Sequence, residues 1–337
     1  MCNDIQDENF RLPEWISYSY HTLPLRYLIV AVDPRSKHWP TPVLDLFRKE
    51  LPDLTILEWS DSDFVSWKNP QLLVNVTRKM VRDRHRVRQL RFYNVCLTHM
   101  YKNNRTWTAM YDTDEFLVFG DYNHSYRNTV MTPGSMEPKG TIVEFIQKIQ
   151  KIENKSCFEL PRILYGTKEI NEQEIRISLP DNFDLDHQRF DTLRYRYHND
   201  IHQKSNGLGK TIINSAILGP YLPLNIKSPH RVLSEVCGSV FSADTKTSPF
   251  RLNHYLGSWE AYSFRDDARK GSDARSWQSW ELRANATGSH RSDEICTWLK
   301  GFYANVGARK AKRLLQDTGL PPTIKIENHD EWTLVPS

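Results

Sequence analysis

Asp112, Asp114 and Glu115 place three carboxylates inside an otherwise apolar run, Trp107 to Phe119. Short runs rich in aromatic and β-branched residues favour strands that are buried on both faces of a parallel sheet. Because strand side chains alternate between faces, Asp112 and Asp114 would point the same way. Two neighbouring carboxylates repel each other unless a proton or a cation lies between them, and Mg²⁺ and Mn²⁺ prefer oxygen ligands. The sequence therefore predicts a metal site at Asp112 and Asp114.

The simpler interpretation of residues 112–115 is a polar turn between two strands, because a bare D-x-D is a weak signal. The apolar residues on both sides contain no glycine or proline with which the chain could turn, and this favours the strand. Mg²⁺ or Mn²⁺ held by one or two carboxylates usually completes its shell with water and substrate phosphate. The pattern therefore indicates a nucleotide or nucleotide-sugar ligand at the carboxyl end of a strand, where open α/β sheets bind their ligands.

The composition is that of a globular protein of 337 residues, with 39% hydrophobic and 26% charged side chains. The formal net charge of +4 is mild and spread along the chain, so it gives no case for nucleic-acid binding. The longest strongly apolar stretch, Tyr27 to Val32, is far shorter than the roughly 20 residues that a membrane span needs.

Cysteines and glycosylation sequons bear on the compartment. The cysteines show no C-x-x-C spacing, which argues against a zinc ribbon, and they could be reduced core residues or two disulfides with one residue left over. The N-x-S/T sequons favour the secretory pathway, with the Golgi or ER lumen as the expected compartment. No signal peptide is recognisable, so membrane attachment would require a missing N-terminal anchor. The cysteines are Cys2, Cys96, Cys157, Cys237 and Cys296, and the sequons begin at Asn75, Asn104, Asn123, Asn154 and Asn285.

Alternating strand and helix patterns before the carboxylates predict the start of a βαβ fold. We expect a strand over Leu25–Val32, a helix over Pro42–Glu50 and a strand over Leu54–Trp59, preceded by a polar lead-in at residues 1–24. Asp33 ends the first strand, where it would contact a nucleotide base or ribose; an ordinary βα turn is the alternative.

A long helix is predicted over Arg78–Asn103 from an apolar stripe at three- and four-residue steps. Its first half is strongly basic, which is typical of a solvated face with ion pairs. Because the helix leads directly to the Asp112 strand, Arg84 and Arg88 are also candidates for contact with a diphosphate.

Two segments resemble the core of glycosyltransferase family 92 and related family 2-like enzymes. They are R-Q-L-R-F-Y-N-V-C-L at residues 88–97 and R-T-W-T-A-M-Y-D-T-D-E-F at residues 105–116. The resemblance implies an α/β fold of GT-A type, in which a Rossmann-like nucleotide-binding half is fused to an acceptor-binding half around a continuous mixed sheet. Mapped onto this chain, one domain spans 25–305, with a nucleotide-sugar half at 25–120 and an acceptor half at 140–305. Residues 306–337 would form a C-terminal helix and tail.

The resemblance also implies a reaction. The chain would be a metal-dependent glycosyltransferase that moves a hexosyl group, such as galactosyl, from a nucleotide diphosphate sugar to a glycan acceptor with inversion. Asp112 would face the ribose and the metal, and Asp114 would ligate the metal. The expected ion is Mn²⁺, with Mg²⁺ as the alternative, and the expected donor is a UDP-sugar.

Two later residues extend this site. Lys210 lies in N-G-L-G-K-T, which is not a phosphate-binding loop because Lys204 stands where the first glycine is required; Lys210 would still reach a phosphate from the start of a strand. His254 lies in a strand over Phe250–Leu256, where the resemblance places a third metal ligand. A structural histidine is the alternative, but imidazole with two carboxylates suits Mn²⁺ better than Mg²⁺.

The acceptor half offers weaker candidates. An inverting transferase needs a carboxylate to take the acceptor proton, and Glu260 or Asp266 could be that base, with Trp259 as a sugar platform. Surface helix charges are the alternative. Residues 190–198 alternate aromatic and basic side chains, as an acceptor face or a half-exposed strand would, and the second D-x-D at 184–186 is predicted to be a loop.

Two rival functions remain. A haloacid-dehalogenase-like phosphatase also has a D-x-D after a buried strand, but its motif continues to threonine or valine where this chain has Phe116. A catalytically dead carbohydrate-binding protein of the same fold would keep the residues without the activity.

Overall fold

A computed structural model of the chain describes residues 1–65, 78–120, 135–153, 155–181, 183–201, 206, 208–230, 233–237, 248–264, 275–285, 288 and 290–316. At 78–84, 152, 153, 234 and 235 only the backbone is described. The strands are β1 Cys2–Ile5, β2 Tyr27–Val32, β3 Thr55–Trp59, β4 Trp107–Met110, β5 Glu115–Phe119, β6 Cys157–Leu160, β7 Arg162–Tyr165, β8 Tyr197–His198, β9 Lys210–Asn214, β10 Phe250–Tyr255 and β11 His290–Arg291. The α-helices are α1 Leu12–Thr22, α2 Thr41–Glu50, α3 Asp61–Phe64, α4 Arg78–Lys102, α5 Thr141–Glu153, α6 Glu172–Ser178, α7 Asp191–Arg194, α8 Ser234–Cys237, α9 Trp259–Phe264, α10 Trp277–Asn285, α11 Trp298–Val306 and α12 Ala308–Leu315.

The fold is α/β, as predicted, but the described strands form three separately hydrogen-bonded sheets. The first sheet is parallel, with the order β1-β2-β3. The second has the order β11-β8-β7-β10-β5, in which β10 runs parallel to β7 and antiparallel to β5. The third, β4-β9-β6, is antiparallel. The predicted continuous mixed sheet is therefore not what these strands form.

The prediction that residues 1–24 are a polar lead-in is wrong. β1 pairs in parallel with β2, in a register that joins Cys2 to Ile29 and Ile5 to Val32. Every residue of α1 is buried. Pro13, which suggested a loop, lies in the first turn of α1, where a missing N–H costs nothing and the fixed φ angle favours the helix.

α1 forms the centre of the largest hydrophobic core. The Trp15 indole donates to the Glu115 carbonyl at 3.1 Å, and the Tyr18 hydroxyl donates to the Leu117 carbonyl at 2.5 Å. The Tyr18 ring makes edge contacts with Phe116 and Trp298, at centroid distances of 5.3 and 5.7 Å. Buried side chains of α12 join the same core. The first and last helices of the described chain therefore pack into the same core.

The apolar run that was predicted to be one strand is broken by a turn. β4 and β5 belong to different sheets, and the Glu115 N–H donates to the Asp112 carbonyl at 3.1 Å between them. The fully buried Glu115 side chain accepts the Asp112 N–H at 3.0 Å, so the turn closes without glycine or proline. Both strands have antiparallel neighbours, β9 and β10 respectively. The turn interpretation of residues 112–115 is thus correct.

Other local patterns give mixed results. The patterns for β2, α2, β3 and α4 predict these elements to within two residues at each end. The apolar segment 157–165 is divided at Pro161 into β6 and β7, which join different sheets, because proline has no N–H for a ladder. Residues 190–198 contain the short α7 before β8 instead of an alternating strand.

Two disulfides join distant elements. Cys2–Cys96 links β1 to α4, and Cys157–Cys237 links β6 to α8, while Cys296 is a free and buried thiol. Of the alternatives left open by the sequence, two disulfides with one cysteine left over is the one found. None of the helices among the described residues combines the length and the apolar character needed to cross a membrane.

Trp15→Ala tests whether the first helix is core. Removing this fully buried indole should lower the free energy of unfolding by about 3–5 kcal/mol in chemical denaturation, because it leaves a cavity. The matched control is Trp39→Ala, since Trp39 is 46% exposed, and it should change stability by no more than about 0.5 kcal/mol. Equal denaturant concentrations at the midpoint of unfolding for the two variants would contradict the buried position of α1.

Candidate functional site

A cavity of about 400 Å³ lies where the carboxyl end of β1, the turn between β4 and β5, and the end of β10 meet. This volume is within the range of small-molecule sites. Its lining is dominated by charged and aromatic side chains, among them Asp7, Phe10, Arg11, Arg162, Lys210, His230, His254, Tyr262, Arg275 and Arg283. Asp112 and Asp114 both line it, so the turn brings the two predicted carboxylates to one space.

Neighbouring elements fix the turn. Tyr255 on β10 donates its N–H to the Asp114 carbonyl at 2.9 Å, and the Trp15 indole holds the Glu115 carbonyl from the other side. The Glu115 carboxylate accepts the Asp112 N–H through Oε2, and its Oε1 lies 3.5 Å from Arg162 Nη1. The backbone of the motif is therefore held by α1, β7 and β10 together.

Lys210 pairs with Asp112. Its ammonium group donates to Asp112 Oδ1 at 2.8 Å, and the lysine is only 1% exposed. Burial alone would raise the pKa of Asp112, but the attraction of Lys210 outweighs burial and the pKa is lowered. Burial in turn would lower the pKa of Lys210, which Asp112 and Glu115 raise. The two groups therefore face the cavity as an ion pair, and Lys210 is the first residue of β9, at the start of a strand as expected.

Asp114 lies next to His254. The distance from Asp114 Oδ2 to His254 Nε2 is 3.6 Å, so the structure brings together two of the three predicted metal ligands. Within the described residues, no three His, Cys, Asp or Glu side chains converge closely enough to hold a metal ion by themselves. A carboxylate and an imidazole beside the second carboxylate, Asp112, form a donor set that suits Mn²⁺. The remaining ligands would come from water and substrate phosphate.

Arg11 was missed by sequence reasoning. It precedes α1 and reaches Asp114 Oδ2 with Nη1 at 3.2 Å, Asp191 Oδ2 with Nη2 at 3.6 Å, and the Leu256 carbonyl at 3.3 Å. Gly257 has a φ of +79°, and a Cβ there would lie 2.4 Å from Arg11 Nη2. A glycine directly after the strand predicted over Phe250–Leu256 was the signal in the sequence that another group approaches closely at this point.

His230 was also missed, and no local pattern marks it. Its Nδ1 lies 3.2 Å from the Gly209 carbonyl, which assigns the proton to Nδ1. Burial, reinforced by the charge of Lys210, lowers the pKa of His230 to about 4. The cavity therefore has a neutral imidazole at neutral pH.

The predicted nucleotide contacts Asp33 and Arg88 are not brought to the cavity lining. Arg35 holds the Asp33 carboxylate with two hydrogen bonds of 2.8 and 2.9 Å. Arg88 is bound by Asp4, by Asp61, and by the Val32 carbonyl at 2.8 Å. Arg88 therefore makes ion pairs, as the alternative for this helix predicts, but it is buried and does not lie on a solvated face. The Arg84 side chain lies outside the described residues.

The predicted acceptor residues lie beside the cavity or outside the described residues. Glu260 on α9 directly precedes Ala261, which lines the cavity, but is not itself part of the lining. Asp266 lies outside the described residues. Trp259 makes edge contacts with Trp277 and Trp280, at centroid distances of 5.2 and 6.0 Å. An aromatic cluster thus borders this side of the cavity through Tyr262.

In comparisons with known proteins, no protein-family model and no curated protein matches the chain. The resemblance to glycosyltransferases therefore rests on the segments at 88–97 and 105–116.

Gly257→Ala tests the close approach of Arg11. A side chain at a positive φ should cost about 1–3 kcal/mol of unfolding free energy from backbone strain. The clash with Arg11 should add about 1–3 kcal/mol. Gly307→Ala is the control, because Gly307 also has a positive φ, +86°, but nothing within 4 Å of a Cβ. Equal losses of unfolding free energy for both variants in chemical denaturation would contradict the close approach of Arg11 to Gly257.

His230→Gln tests the buried neutral imidazole. The folded protein keeps His230 neutral down to about pH 4, whereas the unfolded chain takes up its proton near the ordinary value of 6.5. Protons therefore favour unfolding in this window, and stability should fall as the pH falls from about 6.5 to about 4. The variant lacks this contribution, so its decline should be shallower in denaturation at pH 7.0, 5.5 and 4.5. A difference between the two proteins that does not vary with pH would refute the assignment.

Proposed function

We propose that the chain is a metal-dependent glycosyltransferase of GT-A type, which transfers a hexosyl group such as galactosyl from a UDP-sugar to a glycan acceptor with inversion. The observation that carries the proposal is the shared cavity: Asp112, Asp114 and His254 line the same space as the buried cation Lys210. Carboxylates and an imidazole are ligands for Mn²⁺, and a lysine beside them is a partner for phosphate.

The nucleoside side is supported by Asp7, which follows β1 in the parallel sheet. Open α/β sheets bind ligands at the carboxyl ends of their strands. Asp7 is 1% exposed, and its Oδ1 accepts the Lys37 and His38 N–H groups at 2.5 and 3.2 Å. Among the described residues no donor reaches Oδ2. A buried acceptor without a partner is costly, and a ribose hydroxyl or a base N–H would satisfy it.

The diphosphate side is formed around the turn. Asp114 and His254 would hold the ion, and Lys210 keeps Asp112 ionised and oriented beside them. The metal, when bound, neutralises the charge that develops on the leaving diphosphate. The protein's own part is to hold the donor in a fixed orientation, with its diphosphate against the turn.

The acceptor side would be the wall formed by α9 and α10. Glu260 and Asp266 remain the proposed bases for the acceptor hydroxyl, and the aromatic cluster of Trp259, Trp277 and Trp280 suits sugar rings. The two disulfides support an oxidising compartment, and we propose the Golgi or ER lumen. The sequons at Asn104 and Asn285 are exposed, as glycosylation requires.

The phosphatase rival is less well supported. In that class the motif continues to threonine or valine, whereas this chain has Phe116 at that position. A catalytically dead carbohydrate-binding protein is compatible with the same cavity, and only an activity measurement separates it from a transferase.

Asp114→Asn tests the metal assignment. The wild-type protein should bind UDP at least about tenfold more tightly with Mn²⁺ than with EDTA in calorimetry, and the variant should lose this gain, because the ion loses a charged ligand. Asp184→Asn is the control: it changes the second D-x-D, where Asp184 pairs with Lys312 at the surface. Such exposed pairs contribute little.

Activity is tested by Mn²⁺-dependent hydrolysis of a panel of UDP-sugars, followed by mass spectrometry. We expect turnover of at least one UDP-hexose and none of p-nitrophenyl phosphate. UDP binding without turnover would favour the dead carbohydrate-binding protein. Turnover of p-nitrophenyl phosphate would favour the phosphatase.

A further inference from the structure

Arg11 connects two carboxylates that come from distant parts of the chain. Its guanidinium lies between Asp114 in the turn and Asp191 at the start of α7, with N–O distances of 3.2 and 3.6 Å. All three side chains are largely buried, with exposed fractions of 9%, 12% and 13% for Arg11, Asp114 and Asp191. One guanidinium therefore serves two anions in a poorly solvated place, where charges interact strongly.

The position of Arg11 is defined by its surroundings. Nη2 donates to the Leu256 carbonyl at 3.3 Å, and the guanidinium carbon lies 5.3 Å from the centre of the Phe10 ring. Gly257 leaves the space that Nη2 occupies. The contact with Asp114 is made by Nη1, so it can break while the contacts of Nη2 with Leu256 and Asp191 remain.

Arg11 and His254 meet the same oxygen of Asp114. Oδ2 lies 3.2 Å from Arg11 Nη1 and 3.6 Å from His254 Nε2. A divalent ion held by Asp114 and His254 would take its place beside this oxygen and would be repelled by the guanidinium. Arg11 and the ion therefore compete for one carboxylate.

We propose that Arg11 is a positioning residue that serves as the resident counter-cation of Asp114, and that Asp191 is the partner it keeps when a metal ion binds. This inference rests on the proposed function, because it assumes that Asp114 is a metal ligand. Binding of the ion exchanges the Arg11–Asp114 contact for a closer Arg11–Asp191 contact. The affinity for the ion then depends on how well Asp191 competes for the guanidinium.

Asp191 is suited to be the retained partner because its backbone is anchored independently of Arg11. The N–H groups of Asp191 and Thr192 donate to the Glu14 carboxylate at 3.0 and 3.1 Å, and the Thr192 hydroxyl donates to it at 2.5 Å. These bonds join the start of α7 to α1, the helix that Arg11 precedes. A side-chain movement of Arg11 thus needs no rearrangement of either element.

The test measures Mn²⁺ affinity without nucleotide, by electron paramagnetic resonance of the free ion in titrations of the full chain. Arg11→Gln should tighten binding about tenfold, because it removes the competitor. Asp191→Asn should weaken it about tenfold, because Arg11 then stays on Asp114. The double variant should have the same Mn²⁺ affinity as Arg11→Gln, because in this proposal Asp191 acts only through Arg11. A double-mutant cycle of this kind isolates the interaction.

Arg11→Lys is the matched control, because it keeps a cation at the position and should remain closer to the wild-type affinity than Arg11→Gln. Thermal melts establish that each variant is folded at the assay temperature. A purely structural role predicts that Arg11→Gln and Asp191→Asn both weaken binding, and that result, or no change in either, would overturn the inference. Asp114→Asn separates this from a failure of the proposed function: if it leaves Mn²⁺ affinity unchanged, the metal site itself is misassigned.

Discussion

The pairing of the carboxylates of the turn with largely buried cations is the constraint on which this structure depends. Removing a carboxylate from water without a partner costs several kcal/mol, so each acid of the turn needs a cation. Asp112 is held by Lys210, Asp114 by Arg11, and Glu115 is approached by Arg162. These cations come from β9, from the segment before α1, and from β7. Elements far apart in the chain must therefore meet at one turn, and the cavity forms where they meet.

The turn also explains why Asp112 and Asp114 line one cavity although the predicted strand is wrong. Alternation along a strand predicted that Asp112 and Asp114 share one direction. The structure has no strand there, yet both side chains line the cavity, because Glu115 closes the turn on the Asp112 N–H and β10 fixes the Asp114 carbonyl. The local residue pattern singled out Asp112 and Asp114. Their placement at the cavity depends on hydrogen bonds to elements that the pattern does not include.

The sequence predicts what depends on local periodicity and little of what depends on distant contacts. α4 follows from its apolar stripe, and β2 from its continuous apolar run. α1 was missed because Pro13 and neighbouring charges suggested a loop, although proline in a first turn favours a helix. Arg11 and His230 were missed because their partners lie far away in the chain. Which cation neutralises which acid is decided by tertiary packing.

The charge balance of the cavity bears on how its proposed ligands would enter. Asp7, Glu8, Asp112 and Asp114 line it together with the cations Arg11, Arg162, Lys210, Arg275 and Arg283. A divalent ion alone would add positive charge beside Arg11, and a diphosphate alone would add negative charge beside Asp114. Entering together they largely cancel each other, so each should favour the binding of the other. In such a site the coupling between donor and ion follows from the charges that already neutralise the turn.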